Sequence, residues 1–290
     1  MAKIFVRALL EAATESEDVL VASADERCLG VREVARGAQQ VLLEFWFEDD
    51  LDSVTSRVTS WPARVREVSE VTESDWMAGA RAQAQPLDVG DRFLLDPRDP
   101  NDEWSERRGR RWWLRLPARR AFGTGTHETT QLMIRALERV DLQGGSVLDA
   151  GSGTGVLSFA ALRLGASSAV GFDVDVASTF VGRDNLRLNG FAATEMPHFW
   201  CGTTASIATD ATFDLVLVNV LPERIAGSEE ALARAVGAGG RLLLAGYLTR
   251  QRDDVLKRWT RYGLEVGFEM RQQDWELAEL VEDETAESNR

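Results

Sequence analysis

The sequence predicts an α/β protein in which a doubly wound, Rossmann-like sheet follows a small α+β domain. Three observations lead to this prediction. Short apolar strands alternate with helical segments from about residue 146 onward, as in a mostly parallel sheet. A glycine-rich turn joins one of these strands directly to the next helix. A carboxylate, Asp173, stands at the end of the strand after that helix, where open parallel sheets bind their ligands.

The length, net charge and cysteine content of the chain limit its domain number and the partners it is expected to bind. With 290 residues the chain is long enough for one large domain and a small one. Its net charge of −14 argues against nonspecific binding to nucleic acid and suits a basic partner, although acidity can also serve solubility alone. Cys28 and Cys201 have neither disulfide nor zinc spacing, so we expect reduced thiols and no metal site.

Targeting signals are not evident in the sequence. The segment Met1–Arg7 lacks the long apolar stretch of a signal peptide, and no segment approaches the length of a membrane span. We therefore expect a cytoplasmic enzyme that does not associate with membranes.

The first part of the chain predicts a small α+β domain over residues 1–67. Its predicted strands are Lys3–Leu10, Leu29–Ala35 and Gln40–Phe47, and its predicted helices are Glu15–Ala22 and Leu51–Trp61. In the second helix Leu51, Val54 and Val58 share one face. Residues 68–86 are expected to form a linker with a helix at Glu73–Gln85, which ends before Pro86.

Residues 87–290 are expected to form the larger domain. Two strand candidates, Arg92–Leu95 and Trp112–Leu116, flank a charged loop, Arg98–Arg111. The alternating region follows. Its strands end at Leu148, Asp173 and Val218, with a further strand at Arg241–Ala245, and its helices are Val156–Leu164, Ala177–Leu188, Glu229–Val236 and Arg252–Arg261. Such alternation is typical of a doubly wound sheet.

The glycine-rich turn is the run Asp149-Ala150-Gly151-Ser152-Gly153-Thr154-Gly155. Glycines after a strand can take positive φ, and the following helix points its free N–H groups at a ligand. No Gly-Lys-Ser/Thr follows, which excludes a phosphate-binding loop of that type. The glycine spacing is tighter than the dinucleotide pattern, which favours S-adenosylmethionine over NAD. Asp173, 22 residues after Gly151, can accept hydrogen bonds from ribose hydroxyls.

Asn219 follows the strand Phe213–Val218, so three polar strand ends are expected to converge on one edge of the sheet. Its amide offers both a donor and an acceptor, which could orient either the cofactor or an incoming amine. A strand-end turn residue with no further role is the alternative for Asn219.

A second loop precedes the helix Gln131–Val140 and reads Ala121-Phe122-Gly123-Thr124-Gly125-Thr126-His127-Glu128-Thr129-Thr130. Thr126 is the expected N-cap, with Thr129 and Thr130 in the first turn. The loop is either an ordinary capped helix start or a cover over a ligand that its hydroxyls contact. His127 is a candidate general base, although a structural role is as consistent with its position.

This loop resembles the signature of the ribosomal protein L11 methyltransferases, the PrmA family. The resemblance continues over the segments Val147–Leu157, Gly171–Asp175, Asn185–Gly190, Val218–Leu221 and Gly239–Leu248, with Trp275 beyond them. It covers roughly residues 86–280, while residues 1–67 are similar in length and pattern only. The sequence departs from the family in Pro117-Ala118-Arg119-Arg120 and in Asp274 before Trp275.

The resemblance implies a methyltransferase with a class I fold that uses S-adenosylmethionine. Thr130, Gly151, Asp173 and Asn219 match the family's cofactor-binding positions, Gly153 belongs to the same turn, and Asn219 is the expected catalytic residue. It also implies a monomeric enzyme that methylates lysine and N-terminal amines of ribosomal protein L11, with the first domain recognising that substrate and no direct nucleic-acid contact.

Two other classes of function are also compatible with the sequence. A methyltransferase of the same fold can act on another protein, a small molecule or RNA, although Asn219-Val220-Leu221-Pro222 departs from the Asn-Pro-Pro-Tyr pattern of many nucleic-acid amine methyltransferases. A catalytically silent module that binds a basic protein, or a scaffold, is the other alternative. The complete set of Gly151, Asp173 and Asn219 argues against a silent module.

Overall fold

A computed structural model describes residues 4–23, 28–72, 85–98, 111–117, 125, 127–191 and 197–282. The chain divides into two compact units, residues 1–83 and residues 84–290, called here unit 1 and unit 2. The predicted linker helix Glu73–Gln85 and most of the predicted loop Arg98–Arg111 lie outside the described residues.

Unit 1 is an antiparallel sheet with two helices. Its elements are β1 (Ile4–Ala13), α1 (Glu17–Ser23), β2 (Cys28–Arg36), β3 (Gln40–Phe47), α2 (Leu51–Thr59) and β4 (Arg64–Thr72). The strands are ordered β2-β3-β1-β4 and every neighbouring pair is antiparallel. This βαββαβ arrangement is the split βαβ, or ferredoxin-like, motif.

The core of unit 1 follows from two simple periodicities. Strands β1 and β3 alternate buried and more exposed side chains, as a sheet with one covered face requires. Helix α2 places Val54 and Val58, one turn apart, in the same apolar cluster. The Asp50 carboxylate caps this helix by accepting a hydrogen bond from the Ser53 N–H at 2.8 Å.

Unit 1 extends beyond the boundary expected at residue 67, because β4 runs through that position to Thr72. The sequence of β4 gave no clear strand signal. It carries Arg64, Arg66, Glu67 and Glu70, and none of its side chains is fully buried. A charged strand at the edge of the sheet lacks the apolar alternation on which strand prediction depends.

Unit 2 begins with a small sheet of β5 (Leu87–Val89), β6 (Phe93–Asp96) and β7 (Trp112–Arg115). Strands β6 and β7 are parallel, and β5 and β6 are antiparallel. The Asn189 amide fastens β7, because it donates to the Arg115 carbonyl at 2.9 Å and accepts from the Arg115 N–H at 2.7 Å.

The main sheet of unit 2 has seven strands in the order β10-β9-β8-β11-β12-β14-β13. Its elements in chain order are α3 (Glu128–Leu137), β8 (Ser146–Ala150), α4 (Val156–Arg163), β9 (Ser168–Asp173), α5 (Val176–Leu188), β10 (His198–Cys201), β11 (Phe213–Asn219), α6 (Pro222–Ile225), α7 (Glu229–Arg234), β12 (Val236–Leu248), α8 (Arg252–Thr260), β13 (Leu264–Gln272) and β14 (Trp275–Glu282). Strands β8 to β12 are parallel to one another, whereas β14 is antiparallel to both β12 and β13.

Helices cover both faces of this sheet, and successive side chains of a central strand enter different cores. Leu215 and Leu217 of β11 pack with α3 and α4, whereas Val216 and Val218 pack with α7 and α8. This burial on both faces is the property of a doubly wound parallel sheet, so the predicted fold class is confirmed.

The differences from the predicted elements lie mainly at the sheet margins. Strand β10 and the antiparallel hairpin β13–β14 were not predicted, and the helix expected to reach Val236 ends at Arg234, where β12 soon begins. The alternating polar residues of β13 give a weaker signal than a buried parallel strand does. No helix among the described residues is both long and apolar enough to cross a membrane.

Candidate functional site

The glycine-rich turn leaves β8 at Ala150 and enters α4 at Val156. Gly151, Gly153 and Gly155 all have positive φ, at 78°, 51° and 80°. Only glycine adopts this region at little cost, so three left-handed residues within five positions require this composition. The sequence therefore encodes a turn at the carboxyl edge of the sheet in which three glycines leave the backbone uncovered.

Gly151 is also required by a contact that the sequence did not predict. A Cβ atom at this position would lie 2.4 Å from Cγ2 of Val220. Val220 follows Asn219 in the loop after β11, so the turn and this loop contact each other directly. A side chain at Gly151 would displace Val220 and the loop that begins directly after Asn219.

The Asp173 carboxylate at the end of β9 is held by two main-chain donors. Its Oδ2 accepts from the Gly153 N–H at 3.0 Å, and its Oδ1 accepts from the Asp175 N–H at 2.9 Å. The side chain is only partly buried, and each carboxylate oxygen has a further lone pair for a ligand. The predicted ribose acceptor is thus fixed against the glycine turn.

A second carboxylate, Asp149, lies beneath the turn and is 1% exposed. Its Oδ2 accepts from the Ser158 hydroxyl at 2.7 Å and from the Ser158 N–H at 3.2 Å. Burial raises the pKa of this carboxyl to about 6, against the lowering effect of the Ser158 hydrogen bonds. Asp149 therefore ties β8 to α4 inside the protein.

Asn219, the predicted catalytic residue, ends β11 beside the glycine turn. By strand alternation its side chain lies on the same face as Leu215 and Leu217, the face that α3 covers. Its Oδ1 is buried and has no hydrogen-bond partner within the described part of the chain. Buried amide oxygens are nearly always paired, so an unpaired one at a sheet edge indicates a ligand-binding position.

Thr130 shares this property. It lies in the first turn of α3, is fully buried, and its Oγ1 has no partner among residues that the structure describes. Helix α3 packs against β11, β12 and β14, which places Thr130 on the same face of the sheet as Asn219. Asn219 Oδ1 and Thr130 Oγ1 are therefore both on that face without a partner among the described residues.

The prediction that Thr126 caps this helix is wrong. The N-cap is His127, whose Nδ1 accepts from the Thr129 N–H at 3.3 Å and also contacts Thr129 Oγ1 at 2.9 Å. Burial lowers the pKa of His127, while nearby Glu128 opposes that shift, and a neutral imidazole is the form that can accept the capping bond. An imidazole cap is outside the usual Ser, Thr, Asp and Asn set on which the prediction relied.

Residues of the β13–β14 hairpin complete this side of the site. The Trp275 ring packs edge-on against His127, with ring centroids 4.8 Å apart and planes at 68°. Gln272 donates from Nε2 to Gln131 Oε1 at 3.0 Å and accepts at Oε1 from Arg135 at 2.9 Å. Gln272 carries no motif signal, because its partners lie 137 or more positions away in sequence.

The structure brings the predicted residues of β8, β9 and β11 to one edge, since these strands are adjacent in the order β9-β8-β11. Asp173, the glycine turn and Asn219 therefore follow one another along that edge. No group of three or more His, Cys, Asp or Glu side chains suited to a metal ion occurs within the described ranges.

The chain is similar to a known protein family over most of its length. The family model described as ribosomal protein L11 methyltransferase (PrmA) matches residues 8–282. A ribosomal protein L11 methyltransferase of Pelobacter propionicus is 31% identical over 284 residues, which is 90% of this chain and 86% of that protein. A protein of the same name from Geobacter sulfurreducens is 34% identical over 214 residues, covering 72% of this chain and 66% of the relative.

A solved structure shows the same fold. The crystal structure of ribosomal protein L11 methylase from Lactobacillus delbrueckii subsp. bulgaricus has a TM-score of 0.60 and 22% sequence identity, and the similarity covers 68% of this chain and 97% of that one. The family match spans both units, including the strands of unit 1 for which the sequence resemblance was weakest. The chain therefore belongs to the ribosomal protein L11 methyltransferase family.

Proposed function

We propose that this protein transfers methyl groups from S-adenosylmethionine to lysine and N-terminal amines of ribosomal protein L11. The observation that carries the proposal is the buried Oδ1 of Asn219, which has no partner among the described residues and lies next to a left-handed glycine turn at the carboxyl edge of a parallel sheet. Family membership supplies the reaction class, and the names of the relatives supply the substrate.

The residues present fit the cofactor. Asp173, fixed by the Gly153 and Asp175 N–H groups, would accept hydrogen bonds from the ribose hydroxyls. The turn at Gly151 and Gly153 would bring its backbone close to the cofactor, and the Thr130 hydroxyl, which has no partner among described residues, would bind its methionine end. When bound, S-adenosylmethionine supplies an electrophilic methyl group on a sulfonium.

Asn219 would hold the acceptor amine. Its carbonyl oxygen can accept an N–H of the amine and so direct the nitrogen lone pair toward the methyl group. A partly buried site disfavours the ammonium form, so the amine releases its proton to solvent water as it enters. Alignment then supplies most of the rate, and the reaction needs no strong protein base.

His127 is a poor candidate for such a base. Its Nδ1 is occupied as the N-cap acceptor of α3, and its ring is packed against Trp275. We assign it a structural role at the start of the helix.

Substrate presentation is assigned to unit 1. Its sheet and helices have their own core, while Gly151, Asp173 and Asn219 all lie in unit 2. The net charge of −14 would attract a basic ribosomal protein and repel free RNA. A monomeric, cytoplasmic enzyme without direct nucleic-acid contact remains part of the proposal.

The test is mass spectrometry of purified L11 after incubation with the protein and S-adenosylmethionine. We expect mass gains of whole methyl groups on lysine and N-terminal peptides, and almost none with Asn219→Ala. If the cofactor binds but L11 is never modified, the proposed substrate is wrong. If Asn219→Ala methylates L11 at the wild-type rate, Asn219 is not the catalytic residue.

A further inference from the structure

Gln272, the last residue of β13, joins the C-terminal hairpin to α3 by two hydrogen bonds. Arg135 can only donate, so Gln272 must present its oxygen to Arg135 and its amide nitrogen to Gln131. The side-chain amide therefore both accepts and donates, and the donor-only character of Arg135 fixes its orientation. Replacement by an apolar residue would remove both bonds.

Two contacts from the same hairpin enclose the first turn of α3. Trp275 packs on His127 at one end of the turn, and Gln272 binds Gln131 at the other. Thr130 lies between them, and the N–H groups of Thr130 and Gln131 both donate to the His127 carbonyl, at 3.1 and 3.2 Å. The hairpin thus supports both ends of the turn that carries Thr130.

We propose that Gln272 is a positioning residue for cofactor binding, which acts through Gln131 on the hydroxyl of Thr130. The inference rests on the proposed role of Thr130 at the methionine end of S-adenosylmethionine. Gln272 itself would not touch the cofactor. It would hold the helix start in the geometry in which the Thr130 Oγ1 faces the ligand.

The physical reason is that helix ends are the least constrained part of a helix. The first turn lacks the full set of internal hydrogen bonds and opens most readily. The Thr130 hydroxyl has no partner among described residues that would fix its direction. Its placement therefore depends on what supports the backbone around it, and Gln272 is a polar support from outside the helix.

The experiment is a double-mutant cycle read by calorimetric titration with S-adenosylmethionine. The variants are Gln272→Leu, Thr130→Val and the double variant, with Gln272→Glu as the conservative control. We expect Gln272→Leu to raise the cofactor Kd by roughly twofold to tenfold, the range for loss of an orienting hydrogen bond. In the Thr130→Val background the same change should have almost no further effect.

Gln272→Glu should bind the cofactor almost as well as the wild type. Both carboxylate oxygens accept, so Arg135 keeps its partner and the Gln131 amide can turn to donate. A purely structural role would appear as a lower Tm for Gln272→Leu without a change in Kd, and this would overturn the proposal. Equal effects of Gln272→Leu with and without Thr130 would overturn it as well.

The cycle also separates this inference from the proposed function. If Thr130→Val leaves the Kd unchanged, the assigned role of Thr130 is wrong and the inference falls with it. If Thr130→Val weakens binding while Gln272→Leu does not, only the positioning role of Gln272 is wrong.

Discussion

The two units place their strand ends differently, and this difference explains why the candidate site lies in only one of them. In unit 2 the parallel strands β9, β8 and β11 all end at one edge, so polar residues far apart in sequence meet there. In unit 1 neighbouring strands are antiparallel, and their ends alternate between opposite edges. The parallel sheet of unit 2 therefore brings polar side chains together at one edge, whereas the antiparallel sheet of unit 1 presents an extended surface without such an edge.

A similar contrast exists within the site itself. The glycine turn and Asp173 are joined by a hydrogen bond from the Gly153 N–H to the Asp173 carboxylate. The first turn of α3 is instead contacted by Gln272, through Gln131, and by Trp275, through His127, both from the distant C-terminal hairpin. The glycine turn and Asp173 come from consecutive elements of the chain. The first turn of α3 meets its partners only when the C-terminal hairpin has packed against it.

Gly151→Val should have the largest effect on the cofactor edge. The new side chain would meet Val220 and would occupy a φ of 78°, so it should displace the Asn219 loop and abolish detectable cofactor binding. Gly144→Val is the matched control, since Gly144 has a φ of 76° with no atom within 4 Å of a Cβ. Calorimetry should show normal affinity for the control. Equal loss in both variants would point to backbone strain alone.

Asp149→Asn should change how stability depends on pH. The folded pKa of about 6 lies above the ordinary 3.8, so the folded state retains a proton that the unfolded state releases. Stability should thus fall as pH rises from about 4 to 6, by up to about 3 kcal/mol, and this slope should disappear in the variant. Urea unfolding at several pH values measures it.

Asp214→Asn provides the contrasting control for that experiment. Hydrogen bonds from Ser146 lower the pKa of Asp214, so its contribution is present above the ordinary value and is lost as pH falls. The two substitutions should therefore change the slope in opposite directions and in different pH ranges, Asp149→Asn between about 4 and 6 and Asp214→Asn below about 4. A wild-type slope that persists in Asp149→Asn would exclude the buried carboxyl as its source.

Val58→Ala should weaken unit 1 while sparing the cofactor edge. Val58 is fully buried in the unit 1 core, and its truncation should cost about 1.5–3 kcal/mol of that unit's stability. Ser56→Ala, on the exposed side of the same helix, should be nearly neutral. Thermal unfolding and cofactor titration together test this. A weaker cofactor affinity in Val58→Ala would show that the units are coupled.

The sequence predicted those features that depend on local pattern. The buried parallel strands, the glycine turn and Asp173 were found because apolar runs and glycine spacing carry their own signal. Strand β4 was missed because its charges obscure the alternation. The imidazole cap of α3 and the Gln272–Gln131 contact involve the packing of α3 against the hairpin, which no local motif encodes.

The central claim is that the two units divide the work, with the cofactor bound by unit 2 and L11 presented by unit 1. The most direct test compares the full chain with residues 84–290 in cofactor titration and in methyl transfer to intact L11. We predict equal cofactor affinity and a loss of L11 methylation in the shortened protein. Full methylation of L11 by residues 84–290 would contradict the claim.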